Sequence, residues 1–162
     1  MNVRNCAELG ENAQKIMKRL LANQNLLKLL YYTDKDPLSH DDLTQEQIQN
    51  EIFHKLIRII PRVGPKEDAR SIVVFKYNNS KLNDNNEFND ISFDIESFVP
   101  MTQWLIKGEQ LRPFAIMGEI ENSLKGKRIN GLGTIKGGEF ALNFLTEEIS
   151  SYEQTFHIVT FD

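Results

Sequence analysis

The sequence predicts an α/β chain of the α+β kind, with N-terminal helices and one central helix packed on a mainly antiparallel sheet of about four to five strands. Three observations carry this expectation. Apolar residues recur at helical spacing through the first third of the chain. The stretch Ile91-Ser-Phe-Asp-Ile-Glu-Ser-Phe-Val-Pro100 alternates apolar and polar residues, which is the period of a strand. Most of the second half is built from further β-branched and aromatic runs. At 162 residues one domain spanning 1–162 is expected, with a helical part at about 8–60 and a sheet-rich part at about 70–162.

Ala13, Ile16, Met17, Leu20 and Leu21 share one helical face, with Lys15, Lys18 and Arg19 off it. Burying those five is worth roughly 7–15 kcal/mol gross, before the entropy of ordering is subtracted. Asn23-Gln-Asn25 interrupts this helix, and Leu26, Leu27, Leu29 and Leu30 supply a second, shorter one. The polar run from Thr33 to Pro37 closes it, because Pro37 disfavours helix at Asp36. A capping box follows, Thr44 with Gln47 three residues on, and Leu43 with Ile48 matches a hydrophobic staple. Ile52, Phe53, Leu56 and Ile57 extend the stripe, so this helix is expected to continue and to stop before Pro61. Arg62-Val-Gly-Pro65 then reads as an extended connector.

Ile72-Val-Val-Phe-Lys-Tyr77 is apolar on both faces and predicts a central strand. Residues 78–90 hold six asparagines and three acids with few apolar residues, and predict a long mobile loop. The 91–100 strand is expected to have one buried face and one wet face. A further helix follows, with Pro113 near its start and Phe114, Met117, Ile120 and Leu124 on one face; Gly118 weakens its middle. Gly126 can close it, and Lys125, Lys127 and Arg128 complement its C-terminal dipole. Phe140, Leu142 and Phe144 alternate in a further strand, and a last strand is expected from Tyr152 to Phe161.

Composition excludes more than it selects. The formal net charge of −4 argues against a general nucleic-acid binder. A single cysteine, Cys6, rules out an intrachain disulfide and a cysteine-only zinc site. The N-terminal residues carry no signal-peptide core, and no apolar run approaches bilayer length, so a cytoplasm and no membrane partner are expected.

No catalytic motif is present. Asp94 and Glu96 stand two apart and so share a strand face; such a pair suits a magnesium-dependent nuclease, but a solvated sheet face is the simpler reading. Asn83-Asp-Asn-Asn-Glu87 with Asp90 offers oxygen ligands without the glycine or terminal glutamate of a calcium loop. Gly131, Gly133, Gly137 and Gly138 match no phosphate-binding pattern and are expected at strand ends and in a turn around Ile135. Lys125, Lys127, Arg128 and Lys136 form the one basic cluster in sequence; contact with DNA and a helix C-terminus account for it about equally. His40, His54 and His157 are scattered, and Trp104 suits the core better than an interface. No catalytic residue, metal ligand or cofactor is therefore expected.

The order of elements resembles that of the tail terminator and tail-completion proteins of long-tailed bacteriophages. The specific likeness lies in Ser97-Phe-Val-Pro100, similar to a Val-Phe-x-Pro-like strand end in that family, and in the apolar closing strand Phe156-His-Ile-Val-Thr-Phe161. The N-terminal helical region is longer than in compact members. The resemblance implies a non-enzymatic virion protein in the neck, forming a homo-oligomeric ring, commonly a hexamer. Such a ring caps the tail tube protein, meets a head-completion or connector protein, and lets DNA pass without specific binding. The composition and length of the 78–90 loop make it the candidate segment that orders on assembly. Other readings are a different neck protein, a small metal-dependent nuclease using Asp94 and Glu96, and a regulatory binding module.

Overall fold

The structure, a computed structural model, describes residues 3, 5–59, 70–78, 80–82, 84–85, 87–129 and 132–159. Its fold is α+β, as the sequence predicts. The connector at 62–65, Gly131 and the end of the closing strand at Phe161 lie outside the described residues.

Helix α1 (Cys6–Leu21) is capped by Asn5, whose side chain accepts from the Glu8 N–H at 3.1 Å. It buries Ala13, Ile16, Met17 and Leu20 and half-buries Leu21. The asparagine interruption is a cap as well. Asn23 Oδ1 accepts from Leu26 N at 3.1 Å and opens α2 (Gln24–Tyr31). Leu26, Leu27, Leu29 and Leu30 are all buried, so α2 is enclosed on most of its circumference. Among the described residues no helix is long and apolar enough to cross a membrane.

The expected third stretch of helix is much shorter than its apolar stripe suggests. The capping box forms, with Thr44 Oγ1 accepting from Gln47 N at 3.2 Å and Gln47 Oε1 accepting from Thr44 N at 2.9 Å. Leu43 and Ile48 are buried beside it. Yet α3 (Gln45–Gln47) passes at once into a wide turn, Ile48–Ile52, and ends. His54 takes a left-handed φ of 60°, and the chain re-emerges as β1 (Ile57–Arg58), parallel to the next strand. Ile52, Leu56 and Ile57 are buried all the same. The stripe reports burial correctly and helix wrongly, because β-branched Ile57 gains a strand partner in Val73.

The sheet has seven strands in the order β1-β2-β4-β9-β8-β7, with β3 also on β4, and four of them are long. Its members are β1, β2 (Ile72–Tyr77), β3 (Lys81–Leu82), β4 (Phe88–Pro100), β7 (Arg128–Ile129), β8 (Gly133–Leu145) and β9 (Ile149–Val159). A separate two-stranded ribbon, β5 (Leu105–Ile106) with β6 (Gln110–Leu111), leads into α4 (Arg112–Leu124). Except for β1 with β2, every pairing in the seven-stranded sheet is antiparallel. Gly133 opens β8 at φ 119°, where a Cβ would lie 2.5 Å from the Val159 carbonyl oxygen, so only glycine fits that crossing. Ile135 is not in a turn: it is buried within β8 opposite Ile158, and Gly137 and Gly138 adjoin a bulge farther along.

Two corrections concern β4. The 78–90 segment is not one long loop, since β3 and the first three residues of β4 lie within it. Asp94 and Glu96 are not on a wet face; their exposures are 4% and 5%. Cross-strand register explains the second point. Lys76 and Thr155 flank Asp94, and Val74 and Glu153 flank Glu96, so neighbours on both sides cover the pair.

The helices lie on the other face. Phe75, Phe93 and Phe156 meet there with ring centroids 5.0 and 5.4 Å apart. Tyr77 donates its hydroxyl hydrogen to the Leu9 carbonyl of α1 at 2.6 Å. Along α4, Ile116, Met117, Ile120 and Leu124 are buried, whereas Phe114, expected on the same face, is exposed. Gly126, at φ 73°, follows the helix end as expected.

Arg112 ties the helical layer together. It is fully buried, and its guanidinium donates to the carbonyls of Leu29, Tyr32 and Asp34 at 2.6–2.9 Å and to that of Gln103 at 2.8 Å. Burial pulls its pKa down, and the Asp34 charge opposes this in part. A cation at the first turn of a helix opposes the dipole. Arg112 occupies that position while supplying the missing donors at the C-terminal end of α2.

Candidate functional site

Two places in the sheet hold the residues of interest, and they differ in kind. The first is the buried polar face. Glu96 Oε1 accepts from Ser151 Oγ at 2.6 Å and from Asn143 Nδ2 at 2.8 Å, while its Oε2 lies 3.3 Å from Lys76 Nζ. Lys76 Nζ also pairs with Glu153 Oε2 at 2.6 Å. Asp94 Oδ1 accepts from Asn78 Nδ2 and Thr155 Oγ1, each at 2.7 Å. Burial alone would pull the Lys76 pKa down, but the contact with Glu153 and the charge of Glu96 outweigh it and hold the ammonium above its ordinary value. The two carboxylates that look like metal ligands in sequence are thus occupied by a lysine, two amides and two hydroxyls. Among the described residues no group of three or more His, Cys, Asp or Glu stands close enough to share a metal ion.

The second place is the outer edge of β8. Strand β7 covers only its start, Gly133 and Thr134. Ile135 still exchanges backbone hydrogen bonds with Gly126 and Lys127, at 2.7 and 3.0 Å. From Lys136 to Leu145 no described strand lies on that side, and all ten residues are exposed. Phe140, Leu142, Phe144 and Leu145 are 42–60% exposed, which is unusual for large apolar residues grouped on one strand. Phe140 stacks on Tyr152 at 5.3 Å and 7°, and Phe114 of α4 lies 5.0 Å from the same ring. Trp104 extends this cluster, 6.2 Å from Tyr152, and donates its Nε1 hydrogen to Ser150 Oγ at 2.9 Å. It is half-buried, a role between the core and interface readings.

The remaining candidates disperse. Lys125 reaches over Gly137, while Lys136 is paired with His157 on the opposite sheet face, so the basic cluster does not converge as a unit. Arg128 pairs with Thr134, in step with Lys136. His40 stacks on Tyr32 at 3.9 Å and meets Asp34 Oδ2 at 2.7 Å, far in sequence from His54 and His157. Cys6 is a free, exposed thiol. Asn83 and Asn86 of the calcium-like run lie outside the described residues, and Asp90 is part of β4.

Sequence reading missed Arg112 and the exposed β8 edge. The first had a signal, a cation where the helix dipole disfavours one. The second had alternating apolar residues but nothing to show that no strand would cover them.

The described residues thus form a helix-backed α+β sheet with filled polar positions and one open apolar edge. The chain belongs to the YomW family, whose model matches residues 23–158. That family name is phage-derived and marks the chain as a phage-associated protein. A search among curated proteins finds no match.

Proposed function

We propose that the chain is a structural assembly protein of the phage virion, of the tail-terminator type, acting without enzymatic chemistry. The observation that carries this reading is the open β8 edge with its exposed Phe140, Leu142, Phe144 and Leu145. A closed ring needs two different surfaces repeated through one rotation. The opposite sheet edge supplies a counterpart. Strand β1 covers only Val73 and Val74, leaving residues 75–77 of β2 without a described strand on that side. Pairing β8 of one copy with that edge of the next would continue the sheet around a ring and cover the apolar side chains. In this reading the ring, commonly six-fold, caps the tail tube and offers a face to the head-completion protein. The occupied Asp94 and Glu96 carboxylates favour it over a nuclease.

Native mass spectrometry of the purified protein tests the reading. Closed oligomers are expected, and Phe140→Asp/Leu142→Asp should yield monomers of unchanged secondary structure. A wild-type monomer at every concentration, also in the presence of tail tubes, would sink the ring. Binding to portal-bearing heads but not to isolated tubes would instead make the chain a connector protein.

A further inference from the structure

We propose that the cleft between the second half of α1 and the α4–β7 corner is a docking site for the phosphate backbone of double-stranded nucleic acid. Lys15, Lys18 and Arg19, with Ile129 of β7, line a hollow of about 330 Å³. Arg19 and Lys127, with Asn122 and Ser123 of α4, line an adjoining one of about 430 Å³. Cations from α1 and from the segment after α4, more than a hundred residues apart in sequence, thus converge on one surface of a chain whose net charge is −4. This grouping is not the basic cluster visible in sequence. It keeps Lys127, omits Lys136, and recruits the polar side of α1.

The local chemistry suits phosphodiesters. Lys18, Arg19, Lys127 and Asn122 are exposed. Two carboxylates of α4 are engaged and do not line either hollow: Glu119 accepts from Asn23 Nδ2 at 3.0 Å, and Glu121 lies 3.8 Å from Lys125 Nζ. An amide such as that of Asn122 commonly supplies a further phosphate contact; the Ser123 hydroxyl is already donated to the Glu119 carbonyl at 2.9 Å. Among the described residues no aromatic lines the cleft, which therefore offers no stacking platform of the kind on which single strands are usually held. A sequence-independent grip on a duplex backbone is what remains. The cleft is separate from the β8 edge, and the inference does not rest on ring formation.

Fluorescence anisotropy of the full chain with a labelled DNA duplex of about 20 base pairs, at about 50 and 200 mM salt, tests it. Duplex binding is expected, weakening roughly a hundredfold across that range if all four cations meet phosphates. Lys18→Glu/Arg19→Glu/Lys127→Glu should bind at least about tenfold more weakly with a flatter salt slope and an unchanged melting midpoint. Lys55→Glu, near the opposite edge of the sheet, should bind as the wild type does. Should the triple variant misfold, Lys18→Gln/Lys127→Gln carries the same test. The proposal is overturned by absence of duplex binding at low salt, by equal binding in the variants, by tighter binding of the matching single strand, or by capture of phosphatidylglycerol vesicles in preference to DNA.

Discussion

Strands β4 and β8 are each thirteen residues long and both pair antiparallel with β9, yet they invert the usual relation between polarity and burial. Strand β4 lies inside the sheet and buries Asp94 and Glu96; β8 lies at its edge and exposes Phe140, Leu142, Phe144 and Leu145. Both alternate in sequence. What separates them is their neighbours. Strand β4 has β2 on one side and β9 on the other, and those strands deliver Lys76, Thr155 and Ser151 to its carboxylates. Among the described residues, strand β8 has β9 on one side and only the short β7 on the other. A buried carboxylate is tolerable where partners are supplied in register. An exposed phenylalanine is ordinary singly and informative in a row.

The sharpest way to break this contrast is Glu96→Ala. It would leave Lys76, Asn143 and Ser151 without their shared acceptor and is expected to cost about 2–4 kcal/mol in urea unfolding. A loss below about 0.5 kcal/mol would mean that water, not the protein, satisfies the polar face.

A middle-sized effect belongs to the alkaline limb. The Lys76 ammonium and the neutral Tyr77 phenol, the latter through burial, both keep their protons in the fold to higher pH than when free. Both contributions are therefore whole below about pH 10, where the unfolded groups still hold their protons, and are lost as pH rises through the raised values. Thermal midpoints should stay level from neutral pH to about 9 and fall above about 10. Tyr77→Phe should cost about 1 kcal/mol at neutral pH and make the alkaline fall shallower. An unchanged alkaline slope would count against it.

The smallest effect is expected at the edge. Phe144→Ser should shift the stability of the dilute monomer by no more than about 0.5 kcal/mol, because the ring is already 47% exposed. A cost of several kcal/mol would show that Phe144 is a core residue after all.

Much of the fold was legible in the chain because local signals and burial agree there. The break at Asn23, the cap at Thr44, the stripe of α1, most of that of α4, and the strands β2, β4 and β9 all follow from spacing. The failures share a cause. The stripe through Ile52, Leu56 and Ile57 measures burial, and burial is common to a helix and to the turn-and-strand path taken here. The polar side of β4 was misread because its partners stand 16 to 61 residues away along the chain. Of the candidate site, the apolar residues of β8 were visible but their exposure was not, since edge and centre differ only in what pairs with them.

Arg112 also sets a timetable. The carbonyls of Leu29, Tyr32 and Asp34 wait for a guanidinium 78 to 83 positions later in the chain. A ribosome adding about 5–20 residues per second reaches it roughly 4 to 16 seconds after α2 has been made. During that interval the leucine-rich α2 has neither α4 beside it nor a donor for its last turn. The apolar surface of α2 is thus left uncovered for that interval on the newborn chain.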